Sequence, residues 1–352
     1  AFAIPEELLD DYNYVPGQYV ALRADIDGEE VRRSYSICAE PVPGEIRVAI
    51  KKDFGGFFST WAHEELTVGD TINVMNPQGS FTSRMQTTAL NDPEAIAEEH
   101  SEGGGHFVAI AAGSGITPIM SIVSTLLNSS PTTTFDLVYA NRSAMDVMFA
   151  EELGDLKDKY PARLSIHHVL SREQRISPLM SGRIDEEKLG ELLTNIVPVD
   201  NAVEWFLCGP FELVQMTRDQ LKDRGVADDA VRFELFTTGD PKEERGHRGR
   251  PVEVDPKGEN RTIDFALDGL SSTVETPVSS NESVLNAALR VRPDTPFACA
   301  GGVCGTCRAK VVGGTFEMDE NYALEADEVE AGYVLTCQTR PTSETLTVDY
   351  DA

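Results

Sequence analysis

The chain has 352 residues, 41% of them hydrophobic, which is enough for two or three domains with separate cores. Its formal net charge of -29 makes nucleic acids and anionic membrane surfaces poor partners, because both would repel it. Only Cys38 and Cys208 lie outside one four-cysteine motif, which favours a reducing cytoplasm. The most apolar stretch, 107–127, is interrupted by glycine and proline and is therefore not expected to span a membrane, and no signal peptide or membrane anchor is recognised.

Residues 1–82 carry short β-rich runs separated by turn residues, at 18–24, 32–38, 45–51 and 71–75. This spacing predicts a small antiparallel barrel. Two motifs in it are candidate binding sites for a phosphate and an aromatic ring: Arg33-Ser34-Tyr35-Ser36 on a strand, and Gly55-Gly56-Phe57-Phe58-Ser59-Thr60 in a turn. Each motif alone is equally explained as a surface strand or a glycine turn. Residues 83–105 are polar and acidic, and we expect a flexible connector there.

Residues 106–238 alternate between apolar strands and amphipathic helices. Strands are predicted at 107–111, 135–139, 164–170, 205–208 and 231–235, and helices at 119–127, 150–159, 186–193 and 212–224. This alternation predicts a doubly wound parallel sheet covered by helices on both faces.

A glycine-rich turn joins the first of these strands to the first helix: Gly113-Ser114-Gly115-Ile116-Thr117-Pro118. Glycines allow a close approach of the backbone to a pyrophosphate, and the helix N-terminus offers unpaired N–H groups. Pro118 is suited to start the helix, because its missing N–H would be unpaired there. The third glycine of the usual dinucleotide motif is absent, so simple chain punctuation remains an alternative.

Two further motifs follow later strands of the same domain. Ser171-Arg172-Glu173-Gln174 offers a hydroxyl beside a guanidinium, a pair suited to a 2′-phosphate, and therefore favours NADPH over NADH. Cys208-Gly209-Pro210 ends the fourth strand, at the sheet edge where ligands of such folds bind. A solvent-exposed arginine and a small core thiol are the respective alternatives.

Residues 239–250 form a charged linker, and residues 251–352 contain the four-cysteine motif: Cys299, Cys304, Cys307 and Cys337. The spacing C-x4-C-x2-C with a distant fourth cysteine is the plant-type [2Fe–2S] pattern. Disulfides and zinc are weaker alternatives, since glycines between the thiols favour a cluster and all-cysteine zinc sites use paired short knuckles. This region has 18 Asp or Glu against 7 Lys or Arg, so an acidic docking surface and a merely solvated face are equally good interpretations.

In their order, these motifs resemble the ferredoxin–NADP reductase superfamily, specifically reductase components of multicomponent oxygenases with a C-terminal β-grasp ferredoxin domain. The resemblance implies that Arg33, Tyr35, Ser36 and the segment Gly56–Ser59 bind FAD, and that Gly113–Thr117 and Cys208–Pro210 bind the dinucleotide. It also implies that Ser171 and Arg172 bind the 2′-phosphate, with Arg142 among the cofactor-binding residues. Cys208, Thr117, Glu234 and Phe236 would lie at the site of hydride transfer. Such relatives carry a strand before the first one here, so the barrel is expected to lack its first strand.

The expected activity is transfer of electrons from NADPH through FAD and the [2Fe–2S] cluster to a di-iron oxygenase. One alternative is the reductase of a ring-hydroxylating dioxygenase or steroid hydroxylase, which can use FMN and NADH. Another is a ferredoxin-type electron carrier that is not an enzyme.

Overall fold

The computed structural model describes residues 1–53, 55–84, 104–197, 199–236, 252, 258–297, 301–324 and 326–352. They form two compact units. The first contains 1–20, 35–51 and 76–236, and the second contains 21–34, 52–75 and the described residues from 252 onwards. Most of the predicted connector, the linker 239–250, Cys299 and Ala300 lie outside the described residues. No helix of the described ranges has the length and apolar character needed to cross a membrane.

The N-terminal residues are rich in short strands, as predicted: β1 (Phe2–Ala3), β2 (Tyr19–Ile26), β3 (Glu29–Ser36), β4 (Glu45–Ile46) and β5 (Asn73–Val74). They pair in the order β3-β2-β5, with β1 antiparallel to β4. Asp27 and Gly28 connect β2 to β3 with φ values of 55° and 80°, the left-handed conformation that a two-residue hairpin turn requires. One helix, α1 (Phe57–Glu64), precedes β5.

The parallel sheet of the first unit contains β6 (His106–Ala112), β7 (Thr134–Asn141), β8 (Leu164–Leu170), β9 (Ala202–Gly209) and β10 (Val231–Leu235). The strand order is β10-β9-β6-β7-β8, and all neighbours are parallel. Consecutive residues of the central strands β6 and β9 are buried, which is the pattern of a strand covered on both faces. The strand order reverses between β6 and β9, so the carboxyl ends of these two strands form the crevice where ligands of this fold bind.

Four helices connect these strands: α2 (Ile116–Ser129), α3 (Ala150–Lys159), α4 (Glu186–Asn195) and α5 (Phe211–Asp223). The prediction for α3 was correct at both ends, whereas α2 begins three residues before the predicted start at 119. Pro118 is therefore the third residue of α2 and not its first, although its missing N–H still falls in the first turn, where no partner inside the helix exists.

The C-terminal residues of the second unit form a mixed sheet, with strands β11 (Asn260–Leu267), β12 (Leu270–Pro277), β13 (Arg308–Gly313), β14 (Phe316–Met318), β15 (Tyr333–Leu335), β16 (Thr339–Pro341) and β17 (Thr345–Asp349). The order is β12-β11-β17-β13-β15, with β11 and β17 parallel, while β14 pairs with β16. Helix α6 (Val284–Val291) packs against β11 and β12, and α7 (Ala326–Glu330) contacts β15. This arrangement agrees with the predicted β-grasp domain.

The start of the predicted connector is firmly attached to the parallel sheet. Glu204 on β9 is 2% exposed and accepts a hydrogen bond from the hydroxyl of Ser83. Its carboxylate also accepts the backbone N–H of Arg84 at 2.9 Å and lies 3.8 Å from the guanidinium of Arg232. At the other end, the N–H of Gly104 donates to the hydroxyl of Thr132 at 2.9 Å. The described ends of the connector are thus fixed by hydrogen bonds.

We predict that Glu204→Ala lowers the free energy of unfolding by about 3 kcal/mol, because it leaves a buried hydroxyl and a nearby guanidinium without their carboxylate. Urea denaturation followed by circular dichroism measures this change. Asp229→Asn is the matched control, since Asp229 pairs with Arg84 at 2.8 Å but is 74% exposed, and we expect a change below about 1 kcal/mol. Equal effects of the two substitutions would contradict the assigned role of Glu204.

Candidate functional site

The turn after β6 lies against the end of β9, backbone to backbone. A Cβ atom added to Gly115 would be 2.1 Å from the carbonyl oxygen of Cys208. A Cβ on Gly209 would lie 3.0 Å from the Cβ of Ala112. The structure therefore brings the predicted turn Gly113–Thr117 and the predicted segment Cys208–Pro210 together at the point where the strand order reverses.

The outer side of this turn is open, as a phosphate site requires. Gly113 has a φ of 56°, and no heavy atom lies within 4 Å of the position its Cβ would occupy. Its carbonyl accepts a hydrogen bond from the hydroxyl of buried Tyr139 on β7 at 3.0 Å, and this bond holds the turn in place. The hydroxyl of Thr117 donates to the Ser114 carbonyl at 2.9 Å. Ile116 is fully buried and anchors the start of α2 in the core.

Sequence reasoning missed the contact between Tyr139 and Gly113. Burial raises the pKa of Tyr139 to about 12, so its phenol stays protonated and remains a donor. The residue type could have indicated such a contact, because a tyrosine inside a buried strand needs a hydrogen-bond partner for its hydroxyl.

Three residues predicted from separate motifs meet beside this turn. Cys208 is fully buried on β9, and Glu234 on β10 is its register partner. The hydroxyl of Ser36, at the end of β3, donates to Glu234 Oε2 at 3.3 Å. Phe236 is partly buried and packs against the hydrophobic core that contains Cys208. Pro210 follows as the residue that precedes helix α5.

The thiol of Cys208 is held in its neutral form. Burial raises its pKa well above the usual value, and the charge of Glu234 raises it further. A neutral, buried thiol is a poor nucleophile, so Cys208 is not suited to form a covalent bond.

The predicted flavin-binding residues are divided between a strand and a turn. Arg33 and Tyr35 are both half-buried and two residues apart on β3, so they share one face of the strand. In the turn, Gly56 precedes α1, Phe57 is 42% exposed and Phe58 is buried. The hydroxyl of Ser59 is already engaged, since it accepts the N–H of Asp53 at 3.2 Å and donates to the Gly56 carbonyl. Its contribution to a phosphate site is therefore to hold the turn that leads into the first turn of α1.

The loops after β7 and β8 are joined by backbone hydrogen bonds. The N–H of Ser171 donates to the Asn141 carbonyl at 2.9 Å, and the N–H of Arg172 donates to the Arg142 carbonyl at 2.7 Å. The side chains of Arg142 and Arg172 are exposed, and that of Arg172 forms no hydrogen bond or ion pair with any part of the chain that the structure describes.

A cavity of about 520 Å³ lies between β8 and residues 174–180, the segment that follows Arg172 in the chain. Its polar lining includes His168, Gln174, Arg175 and Ser177, but not Ser171 or Arg172. Burial and the charge of Arg175 lower the pKa of His168, which keeps its ring neutral at pH 7. Sequence reasoning did not assign Arg175, although it is the second arginine of the same loop.

Three of the four predicted cluster ligands can be described. Cys307 and Cys337 are buried in one apolar cluster with Phe297 and Leu335, and Cys304 is half-buried. None of the five described cysteines forms a disulfide, although the described side chains alone do not assemble a three-ligand metal site. Cys299, the first ligand of the motif, lies outside the described residues.

The surroundings of these thiols fit a thiolate-bound cluster. Gly302 and Gly305 have φ values of 79° and 69°, so the loop takes a path that other residues rarely adopt. The hydroxyl and the N–H of Thr336 both donate to the Cys307 carbonyl, which ties the loop to the residue before Cys337. Four thiolates need such a loop together with a neighbouring return strand.

Three family models match successive parts of the chain. An oxidoreductase FAD-binding domain matches residues 2–83, an oxidoreductase NAD-binding domain matches 109–219, and a 2Fe-2S iron-sulfur cluster binding domain matches 267–342.

Two relatives are similar over almost the whole chain. One component of the 1,2-phenylacetyl-CoA epoxidase of Escherichia coli (strain K12) is 41% identical, over 100% of this chain and 92% of its own. The ferredoxin reductase component of 3-ketosteroid-9-alpha-monooxygenase from Rhodococcus rhodochrous is 31% identical, over 99% and 91% respectively. An intact type IV self-sufficient cytochrome P450 monooxygenase shares the fold with a TM-score of 0.63 at 22% identity, over 98% of this chain and 37% of that one.

The contact between Gly115 and Cys208 predicts a specific steric effect. Gly115→Ala should weaken nicotinamide nucleotide binding at least about tenfold, because a Cβ 2.1 Å from the carbonyl oxygen of Cys208 forces the turn and β9 apart. Nucleotide titration followed by flavin absorbance measures it. Gly154→Ala on α3 is the matched control, since its Cβ meets nothing within 4 Å, and it should leave binding unchanged. Unchanged binding in Gly115→Ala would show that the turn does not carry the nucleotide.

Proposed function

Because the chain belongs to the oxygenase reductases of the ferredoxin–NADP reductase superfamily, we propose that it transfers electrons from NADPH through FAD and a [2Fe–2S] cluster to a phenylacetyl-CoA epoxidase. The observation that carries this proposal is the switch point of the sheet, where the turn Gly113–Thr117, Cys208 and Glu234 come together beside Ser36. The 41% identity to the epoxidase component over the full chain supports the choice of partner.

The alternatives fit these observations less well. The match of an FAD-binding domain to residues 2–83 favours FAD over FMN. An NAD-binding domain at 109–219 argues against a ferredoxin-type carrier, which needs no nucleotide. A steroid monooxygenase partner is the second candidate, and the 31% identity to a 3-ketosteroid monooxygenase reductase favours it less than the epoxidase.

The domain division that goes with this function is an FAD-binding barrel at 1–82, a connector at 83–105, a nucleotide domain at 106–238, a linker at 239–250 and a cluster domain at 251–352. A reducing cytoplasm is the fitting compartment, because thiolate ligands are sensitive to oxidation and the two further thiols, Cys38 and Cys208, form no disulfide.

In the nucleotide domain, the residues bind and orient the donor. The N–H groups of the Gly113–Gly115 turn and of the first turn of α2 would donate hydrogen bonds to the pyrophosphate, which the positive end of the helix also attracts. Tyr139 holds the turn in place through the Gly113 carbonyl.

Beside it, Cys208 is fully buried at the end of β9, and its neutral thiol adds no charge there. The Ser36 hydroxyl and the Glu234 carboxylate join β3 to β10, so that the ring-binding residue Tyr35 is held next to a strand of the nucleotide sheet.

In the other sites, the chain holds the groups that perform the redox chemistry. FAD accepts a hydride and releases single electrons, and a [2Fe–2S] cluster carries one electron at a time. Arg33 and the N–H groups at the start of α1 would bind the flavin phosphates, and Tyr35 would pack against its ring. Cys299, Cys304, Cys307 and Cys337 would bind the two irons.

The choice of NADPH over NADH rests on unpaired positive charge next to the dinucleotide edge. Arg172 is exposed and without an ion pair in the described residues, and Arg175 lines the neighbouring cavity. A 2′-phosphate in this loop would form charge-assisted hydrogen bonds with these guanidinium groups. NADH has no 2′-phosphate and cannot form these bonds.

Arg172→Ala should weaken NADPH binding by about 1–3 kcal/mol, which is about 5- to 150-fold in Kd, and leave NADH binding unchanged. The matched control is Arg183→Ala, because Arg183 is 77% exposed and pairs only with Glu212 in the described structure. Equilibrium titrations with the oxidised nucleotides NADP⁺ and NAD⁺, followed by flavin absorbance, measure the effect. An equal loss of affinity for NADPH and NADH would remove the argument for NADPH. A selective loss of NADPH affinity in Arg175→Ala alone would indicate that the 2′-phosphate binds in the cavity.

Cys337→Ser should abolish reduction of cytochrome c, which depends on the cluster, and retain reduction of ferricyanide by the NADPH-reduced flavin, because the two cofactors bind to separate domains. The matched control is Cys38→Ser, which removes a buried thiol whose pKa burial raises to about 11 and which should affect neither activity. An anaerobic NADPH titration, followed by addition of the epoxidase oxygenase component and phenylacetyl-CoA, tests the full function. Loss of flavin reduction in Cys337→Ser would contradict the modular scheme, and product formation only with a steroid oxygenase would change the partner.

A further inference from the structure

One buried arginine links the flavin-binding strand to the cluster domain. Arg32 on β3 is 5% exposed and precedes Arg33 in the predicted flavin motif. Its Nη1 donates to the backbone carbonyls of Asp294 and Thr295, at 3.1 and 3.0 Å. These acceptors lie more than 260 residues further along the chain but in the same compact unit.

The carbonyls that Arg32 binds belong to a rigid turn. The N–H of Arg292 donates to the Ala288 carbonyl at the end of α6, and both the N–H and the hydroxyl of Thr295 donate back to the Arg292 carbonyl. The carboxylate of Asp294 binds the guanidinium of Arg292 at 2.7 Å. Because the turn is closed by its own hydrogen bonds, a contact to its outer carbonyls fixes the segment as a whole.

This turn leads directly into the loop of the cluster ligands. Phe297, two residues after Thr295, is 7% exposed and packs in the apolar cluster that contains Cys307 and Cys337. Cys299 is the next cysteine of the motif. A displacement of the turn would therefore be transmitted to the residues around the thiols.

The backbone carbonyl of Arg32 is also hydrogen-bonded. The guanidinium of Arg33 donates to the backbone carbonyl of Arg32 at 2.7 Å. A buried guanidinium is costly unless carbonyls or carboxylates surround it, so Arg32 tolerates little sliding of β3 relative to the turn. An apolar side chain in this position would tolerate such movement.

We propose that Arg32 is a positioning residue for internal electron transfer, holding the entry to the cluster loop at a fixed place relative to the flavin-binding strand. The inference rests on the proposed function. In the step concerned, one electron leaves the reduced flavin and is gained by the cluster, and Arg32 neither gives nor takes a proton.

The test uses the full-length holoprotein in anaerobic stopped-flow experiments with NADPH. In Arg32→Met, which keeps the volume but removes the donors, flavin reduction should keep its rate within about twofold while cluster reduction slows at least about tenfold. Arg32→Lys, which keeps a charged donor, should recover part of the rate. Arg340→Met is the matched control, because Arg340 also donates to a carbonyl, that of Asn281 at 3.0 Å, but within the cluster domain.

Hydrogen–deuterium exchange supplies a readout that does not depend on turnover. We expect faster exchange at 292–297 in Arg32→Met and wild-type exchange there in Arg340→Met. In Arg32→Met, an unchanged rate of cluster reduction, or an equal loss in the rates of flavin and cluster reduction, would overturn the proposal. If Arg32→Met does not fold, Arg32→Lys serves instead. Faster exchange at 292–297 in Arg32→Lys together with a wild-type rate of cluster reduction would then overturn it. A wild-type protein whose flavin is not reduced by NADPH would instead refute the proposed function.

Discussion

The close approach of two backbones at the switch point of the parallel sheet is the constraint on which the nucleotide site depends. Gly115 touches the Cys208 carbonyl with no side chain between them. Because of this contact, helix α2 starts next to the carboxyl end of β9, at the crevice where the strand order reverses. Any side chain at Gly115 would separate the turn from β9. A third glycine in the motif is not required for this geometry, which explains how the turn departs from the usual dinucleotide pattern.

The same contact determines the chemistry of the neighbouring residues. Because Cys208 lies under the turn, it is shielded from water, and its neutral thiol is favoured. Its folded-state pKa is raised, so the neutral form is stable below the ordinary thiol pKa and a stability penalty develops only as the pH rises above that value. Glu234 therefore carries the negative charge of this cluster, and the Ser36 hydroxyl donates to it. The site keeps one charge at a hydrogen-bonded position and none at Cys208.

Much of the architecture could be predicted because it has a local signature. The strands at 164–170 and 231–235 and helix α3 match their predicted bounds, since each is an apolar or amphipathic run between turn residues. The start of α2 was wrong by three residues, because the glycine-rich turn is helical from Ile116 and the proline suggested a later start. The three described cysteines of the cluster motif were assigned from spacing alone, and the burial of Cys307 and Cys337 fits that assignment.

Two buried charged residues that sequence reasoning missed have partners far away in the chain. Glu204 binds Ser83 and Arg84, and Arg32 binds a turn near residue 294. Neither pairing produces a periodic pattern, and a charged residue within a strand looks like a solvent-exposed position until its burial is known.

These two buried charges have a common physical role, one in each compact unit. A hydrophobic contact between segments remains favourable when one slides by an ångström, since the buried area hardly changes. A buried carboxylate or guanidinium loses its partners under the same displacement and is left uncompensated in a medium of low polarity. The chain uses Glu204 where the segment leaving the N-terminal strands joins the nucleotide sheet, and Arg32 where the flavin-binding strand meets the cluster domain. The rates of electron and hydride transfer depend steeply on the distance between donor and acceptor. A buried charge that permits only one relative position of two segments is therefore better suited to these junctions than an apolar contact of equal stability.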